Sequence, residues 1–155
     1  MATIEAVGAV PAAREEVFGF LAALPNHWAL ANRWIEVVSL RPAAAAPSES
    51  QGGMVRIKGP LGLRRTARTT VLSAQPPARM SGRAELPGGT RATVTWSLED
   101  ANPGTRVRLT AEVEESSFLD RLMLALGGRA WMRRHFATVL ESLATQFAVA
   151  QGERQ

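Results

Sequence analysis

The amino-acid sequence predicts an α+β fold in which a curved antiparallel sheet surrounds one long C-terminal helix, with two short helices after the first strand. Three observations predict it. The parts come in the order strand, short helical pair, run of strands and tight turns, closing amphipathic helix. In the late strands apolar and polar residues alternate: Ala92, Val94, Trp96 and Leu98 share one face, as do Val107, Leu109, Ala111 and Val113. Near the C-terminus Met132, Phe136, Val139, Leu140, Leu143 and Phe147 fall on one stripe at about 100° per residue. A lone helix that follows a run of strands must bury its stripe on the sheet, so the sheet has to curve around it, and such a grip leaves room for a cavity.

Each element has a local reason. Thr3 to Val10 reads as a strand whose mixed pattern fits an edge or second-face position. Pro11 opens a helix, since its missing N–H has no partner in a first turn anyway, and Glu15 and Glu16 sit near the positive end of the helix dipole. Val17, Phe18, Leu21 and Leu24 share its apolar face, and Pro25 with Asn26 ends it. Asn26 to Trp34 forms a second short helix before a strand at Ile35 to Leu40. Residues 42–53 have turn composition and little to bury, which reads as a mobile loop within the domain. Strands follow at 54–59, 63–74, 78–86, 90–99 and 105–114. Proline and glycine separate them at Gly59-Pro60-Leu61-Gly62, Pro76-Pro77, Pro87-Gly88-Gly89 and Asn102-Pro103-Gly104. Ser116 or Ser117 caps the closing helix, and Gly127-Gly128 costs about 2 kcal/mol relative to alanine in a continuous helix, so a break is expected there. Phe118 to Leu126 then forms a short apolar helix of its own.

At 155 residues the chain suits one domain, 1–155, able to bury roughly 70% of its unfolded surface. It has no cysteine, which removes disulfides and thiol chemistry, and its N-terminus has neither a basic segment nor a long apolar one, so a cytoplasmic location is expected. Among 18 basic residues Lys58 is the sole lysine, and the net charge is +4. The arginines scatter, apart from the groups Arg64, Arg65, Arg68 and Arg133, Arg134, and read as solvated faces rather than a nucleic-acid surface.

His27 and His135 stand in no metal-ligand spacing, and no nucleophile elbow, Walker or dinucleotide fingerprint occurs, so neither metal nor cofactor is expected. His135 lies at the flank of the helical stripe, in a solvent-edge or helix-packing position, and Trp131 lies roughly 140° off the stripe, at its periphery. Trp28 and Trp34 flank an aromatic connector, and Trp96 stands on the apolar sheet face. Arg129 projects only about 20° from Phe136, so in a continuous helix it faces inward and anchors an acidic ligand; in a helix broken at Gly128 it is wet.

With these parts in place, the chain resembles the START-like SRPBCC superfamily, which includes polyketide cyclase/dehydrases and coenzyme Q-binding proteins. The resemblance rests on VPAAREEVFGFLAALPNHW after a strand, on QPPARMSGRAELPGGTRATVTWSLEDANPGTRVRLTAEVE, and on GGRAWMRRHFATVLESLATQF. It implies a helix-grip fold, with seven antiparallel strands wrapped around the last helix and a hydrophobic cavity between them. It also implies binding of a small hydrophobic molecule of lipid, isoprenoid/quinone or aromatic polyketide type. The residues expected around such a ligand are Trp28, Trp34, Ile57, Met80, Trp96, Arg129, Met132 and Phe136. The alternative is a cyclase or dehydrase in which His27 or Arg129 handles a proton or an enolate, although the chain has no tyrosine. A peripheral membrane contact through FLDRLMLAL is a third expectation.

Overall fold

The computed structural model describes residues 2–23, 26, 29–30, 34–41, 52–58, 64–101 and 104–154. Seven strands form one antiparallel sheet: β1 (Ala2–Val10), β2 (Ile35–Arg41), β3 (Gly52–Lys58), β4 (Arg64–Gln75), β5 (Arg79–Glu85), β6 (Arg91–Asp100) and β7 (Thr105–Glu115). Their order is β1-β7-β6-β5-β4-β3-β2. From β2 onward each strand pairs with the next in sequence. The exception is β1, which lies at the edge beside β7, so the chain must cross from one edge of the sheet to the other between β1 and β2. That crossing carries α1 (Arg14–Ala22), whose Val17, Phe18 and Leu21 are buried.

One face of the sheet is apolar across β5, β6, β7 and β1. Register places Gly82, Val94, Ala111 and Ile4 in one row across β5, β6, β7 and β1, and Met80, Trp96, Leu109 and Ala6 in the next inward row. The alternate rows carry cross-strand pairs such as Arg108–Glu5 (3.7 Å) and Arg106–Glu99 (3.8 Å). The scattered arginines of the sequence therefore mostly serve the solvated face, where each pair adds little stability. Register shifts at Val37/Ser39, Val71/Ser73 and Arg91/Ala92 add local bends and twist to the sheet.

Around the C-terminal helix the sheet closes like a hand. After β7, Ser117 caps α2 (Phe118–Met123), its Oγ accepting from Asp120 N–H at 3.3 Å. A single wide turn over Leu124–Gly128 follows, with Leu126 at φ −96°, ψ 26° and Gly127 at φ 110°, and then α3 (Arg129–Arg154) begins. The expected break is present because Gly127 alone in this turn adopts the left-handed region without a Cβ penalty. Beyond it Phe136, Val139, Leu140 and Leu143 are buried against the sheet, Met132 and Phe147 partly so, and Phe147 meets Phe20 of α1 edge-on at 5.6 Å. This is the helix-grip α+β arrangement.

Two boundaries differ from expectation. The first helix starts at Arg14 rather than Pro11, because Pro11 and Ala12 form a tight turn: Ala12 N–H donates to the Val10 carbonyl (2.9 Å) and Thr105 Oγ1 donates to the Ala12 carbonyl (2.7 Å). The β7 end thus holds those residues out of the helix. Strand β3 begins at Gly52, within the segment expected as loop, because Gly52 and Gly53 pair on both sides with Leu40, Arg41, Thr69 and Thr70. Of the second short helix, Asn26 and Ala29 are helical; the rest of that segment, most of the 42–53 loop and the Gly59–Gly62 turn lie outside the described residues. No helix among the described residues is long and apolar enough to cross a membrane.

Candidate functional site

Between the inner rows of the sheet and the start of α3 lies a cavity of about 280 Å³. Period-two alternation supplies its floor, since Val94, Trp96, Leu109 and Ala111 all point to the same side. The helical stripe supplies its roof through Met132, Phe136 and Val139, and α2 with the wide turn closes one end through Met123, Leu124 and Gly128. Its volume is near the lower end of small-molecule pockets, at roughly 300–1,000 Å³.

Of the residues expected around a ligand, the structure brings Trp34, Ile57, Met80, Trp96, Met132 and Phe136 to this one cavity wall. Trp28 and His27 lie outside the described residues. Arg129 does not line the cavity. It is exposed and borders a separate surface depression with Glu114, Glu115, Arg121 and Arg133. The reason is the break at Gly127: the extrapolated inward angle holds only for a continuous helix, so Arg129 is the wet residue of the two alternatives and is not placed to anchor an acidic ligand.

Trp131 is a correction in the other direction, for it lines the cavity. Its ring stacks on His135 at 3.9 Å and meets Trp34 edge-on at 5.6 Å, while His135 approaches Trp34 at 5.2 Å. The stripe angle assumes a flat partner. A sheet that curls around a helix also provides walls at its flanks, so a residue well off the stripe is still enclosed. The His135 Nδ1–H donates to the Trp131 carbonyl at 2.8 Å. The Trp34 Nε1–H is buried with no hydrogen-bond partner among the described residues.

The polar part of the site is a cluster that sequence reasoning misses. The Asp120 carboxylate is buried and accepts from Arg65 Nη1 and from Thr90 Oγ1. Arg65 Nη2 also donates to the Pro87 carbonyl (3.0 Å), and Ser117 N–H donates to Thr90 Oγ1 (3.1 Å). Arg65, Thr90 and Asp120 all line the cavity, at the end closed by α2. The cluster ties α2 to β4 and to the β5–β6 turn. In the sequence Arg65 reads as part of a solvated arginine group, yet register puts it in the inward row with Ile57 and Ile35. Its partner Asp120 is hidden in an apolar segment. The available signal is Ser117-x-x-Asp120, a capping spacing that marks the helix start but not the distant arginine.

Chemically, the wall is apolar with one self-neutralised ion pair. Arg83 also borders the cavity, but its row, Thr70–Arg83–Thr93, is the outer one. Among the described residues no His, Asp and Glu cluster is placed to hold a metal ion.

Comparisons with known proteins agree with this architecture. The family model described as "Polyketide cyclase / dehydrase and lipid transport" matches residues 1–148. No curated protein matches the sequence. Among solved structures, TTHA0849 from Thermus thermophilus is similar with a TM-score of 0.68 at 20% identity, covering 96% of this chain and 99% of that one. CV1439 from Chromobacterium violaceum is similar with a TM-score of 0.65 at 14% identity, covering 95% and 98%. The di-domain ARO/CYC StfQ from the steffimycin biosynthetic pathway is similar with a TM-score of 0.69 at 16% identity, covering 97% of this chain and 52% of StfQ. At these identities the likeness is one of fold.

Proposed function

We propose that this chain, which belongs to the polyketide cyclase/dehydrase and lipid transport family, holds one small hydrophobic molecule in the cavity between its sheet and its last helix. The observation that carries the proposal is the cavity itself, about 280 Å³ walled by Trp34, Ile57, Met80, Trp96, Met132 and Phe136. Burial supplies the affinity: each ~200 Å² of ligand surface removed from water is worth about 5 kcal/mol before association costs. A lipid, an isoprenoid or quinone, and an aromatic polyketide all fit this description.

A cyclase or dehydrase reading draws on the same family. It needs an acid or base free to face the ligand. The inward ionisable groups among the described lining residues, Arg65 and Asp120, are engaged with each other, and Arg129 stands outside the cavity. These placements favour holding over transformation. A route for the molecule is supported by the exposed apolar side chains of Phe118, Leu119, Leu122 and Leu126, beside the lining residues Met123 and Leu124. In this reading they rest on a membrane surface while the ligand is exchanged.

The test combines native mass spectrometry of the purified protein, before and after solvent extraction, with titration by the neutral dye Nile red. Ala111 lies on the cavity floor and is buried, so Ala111→Leu fills the space with three more carbons. Wild type should take up the dye, and Ala111→Leu should weaken uptake by about tenfold or more, at roughly 0.8 kcal/mol per lost methylene contact. A wild-type protein that takes up neither dye nor any apolar compound overturns the proposal, as does an Ala111→Leu variant that melts normally and binds the dye equally well.

A further inference from the structure

We infer that the cavity selects uncharged ligands and that the Arg65–Asp120 pair is the element that turns free acids away. The inference rests on the holding function proposed above and adds the class of molecule held. A carboxylate leaving water for an apolar wall needs a cation or several donors, and without them its burial costs far more than that of an ester or ketone. Among the described residues, the inward cation of this wall is Arg65, and its charge is already balanced by Asp120 at Nη1, while Nη2 donates to the Pro87 carbonyl. A second carboxylate arriving there meets the negative charge of Asp120 within the same cluster. An ammonium fares no better, because the Asp120 charge is already balanced by Arg65 and its second oxygen accepts from Thr90 Oγ1.

The pair is enclosed enough for this to count. Asp120 is 9% and Arg65 25% exposed at the side chain, so solvent screens them far less than it screens the outer-face pairs. A neutral polar end meets different conditions. An ester or ketone oxygen carries no charge, so leaving water for the apolar wall costs it far less than it costs a carboxylate. The wall thus suits an apolar body ending in an ester, ketone, quinone or alcohol.

The test compares dodecanoate with methyl dodecanoate as competitors of Nile red, at about pH 8 where the acid is ionised. Any apolar site prefers the ester, so the ratio of the two competition constants is followed across variants. Asp120→Asn removes the negative charge and frees the Arg65 guanidinium for an incoming carboxylate. It should narrow the ester preference by about tenfold or more, the worth of one charge-assisted hydrogen bond. Asp120→Ser carries the same expectation if the asparagine variant folds poorly. Arg65→Gln removes the cation and should leave the acid at least as disfavoured as in wild type. A ratio unchanged by both Asp120 variants, or a wild type that binds the acid as tightly as the ester, overturns the selection while leaving the holding function in place. Absence of binding by dye, ester and acid alike overturns both.

Discussion

Replacing Asp120 by alanine tests whether the end of the cavity is held shut by charge. The substitution removes the acceptor of two hydrogen bonds and leaves Arg65, three-quarters buried, with the Pro87 carbonyl as its remaining partner, while Thr90 Oγ1 keeps only the long contact to Ser117 Oγ at 3.5 Å. Breaking a buried ion pair by deleting one member costs about 3–5 kcal/mol. Water can reach part of the Arg65 side chain, which brings the expectation to about 2–3 kcal/mol. The loss should fall locally. At six residues α2 is too short to persist unaided, and its Phe118, Leu119 and Leu122 point to solvent and contribute little packing. Hydrogen exchange read by mass spectrometry should therefore show amides 117–128 losing protection by about 30- to 140-fold, with β6 and β7 nearly unchanged. Combining Asp120→Ala with Arg65→Met should cost less than the two single changes added together, since the second removes the charge that the first strands. Unaltered protection at 117–128, or strict additivity in the double variant, would refute the idea that this pair latches α2.

Two further predictions concern the turns and the exposed patch. Gly104 has φ 88°, and a Cβ there would lie 2.4 Å from the Val10 carbonyl oxygen, whereas Gly89 has φ 94° with open space around it. Gly89→Ala should therefore cost about 1–2 kcal/mol for backbone conformation alone, and Gly104→Ala clearly more; urea midpoints at constant slope measure both, and equal losses would contradict the steric account. In liposome flotation at low salt, wild type should rise with vesicles containing an anionic lipid, and Phe118→Ser/Leu122→Ser should stay below. Raising the salt should weaken the wild-type signal if Arg121, Arg129 and Arg133 assist, and a wild type that never floats removes membrane contact from the reading.

How far the site was legible in the sequence depends on the range of the information. The cavity floor was readable: Trp96 sits in a period-two run, and Met80 and Ile57 stand at apolar strand positions. Met132 and Phe136 followed from helical spacing just as directly. Arg65 looked like its neighbours Arg64 and Arg68, because a strand position two residues from the previous turn carries no mark of which face curls inward. Asp120 looked like an interruption of an apolar segment until its partner, 55 residues away, stood beside it.

By itself the sequence determined the order of the elements, the apolar face of the sheet and the stripe of the last helix, and it marked Gly127-Gly128 as the place for a kink or break. These are properties of residues close along the chain, governed by backbone periodicity and by the cost of glycine in a helix. The tertiary structure decided the rest. Sheet curvature enclosed Trp131, the bend at Gly127 sent Arg129 into solvent, and the packing of α2 over β4 turned Arg65 and Asp120 into a buried pair. Each of these depends on where two distant segments meet, and a side chain's solvation and charge balance are set only at that meeting.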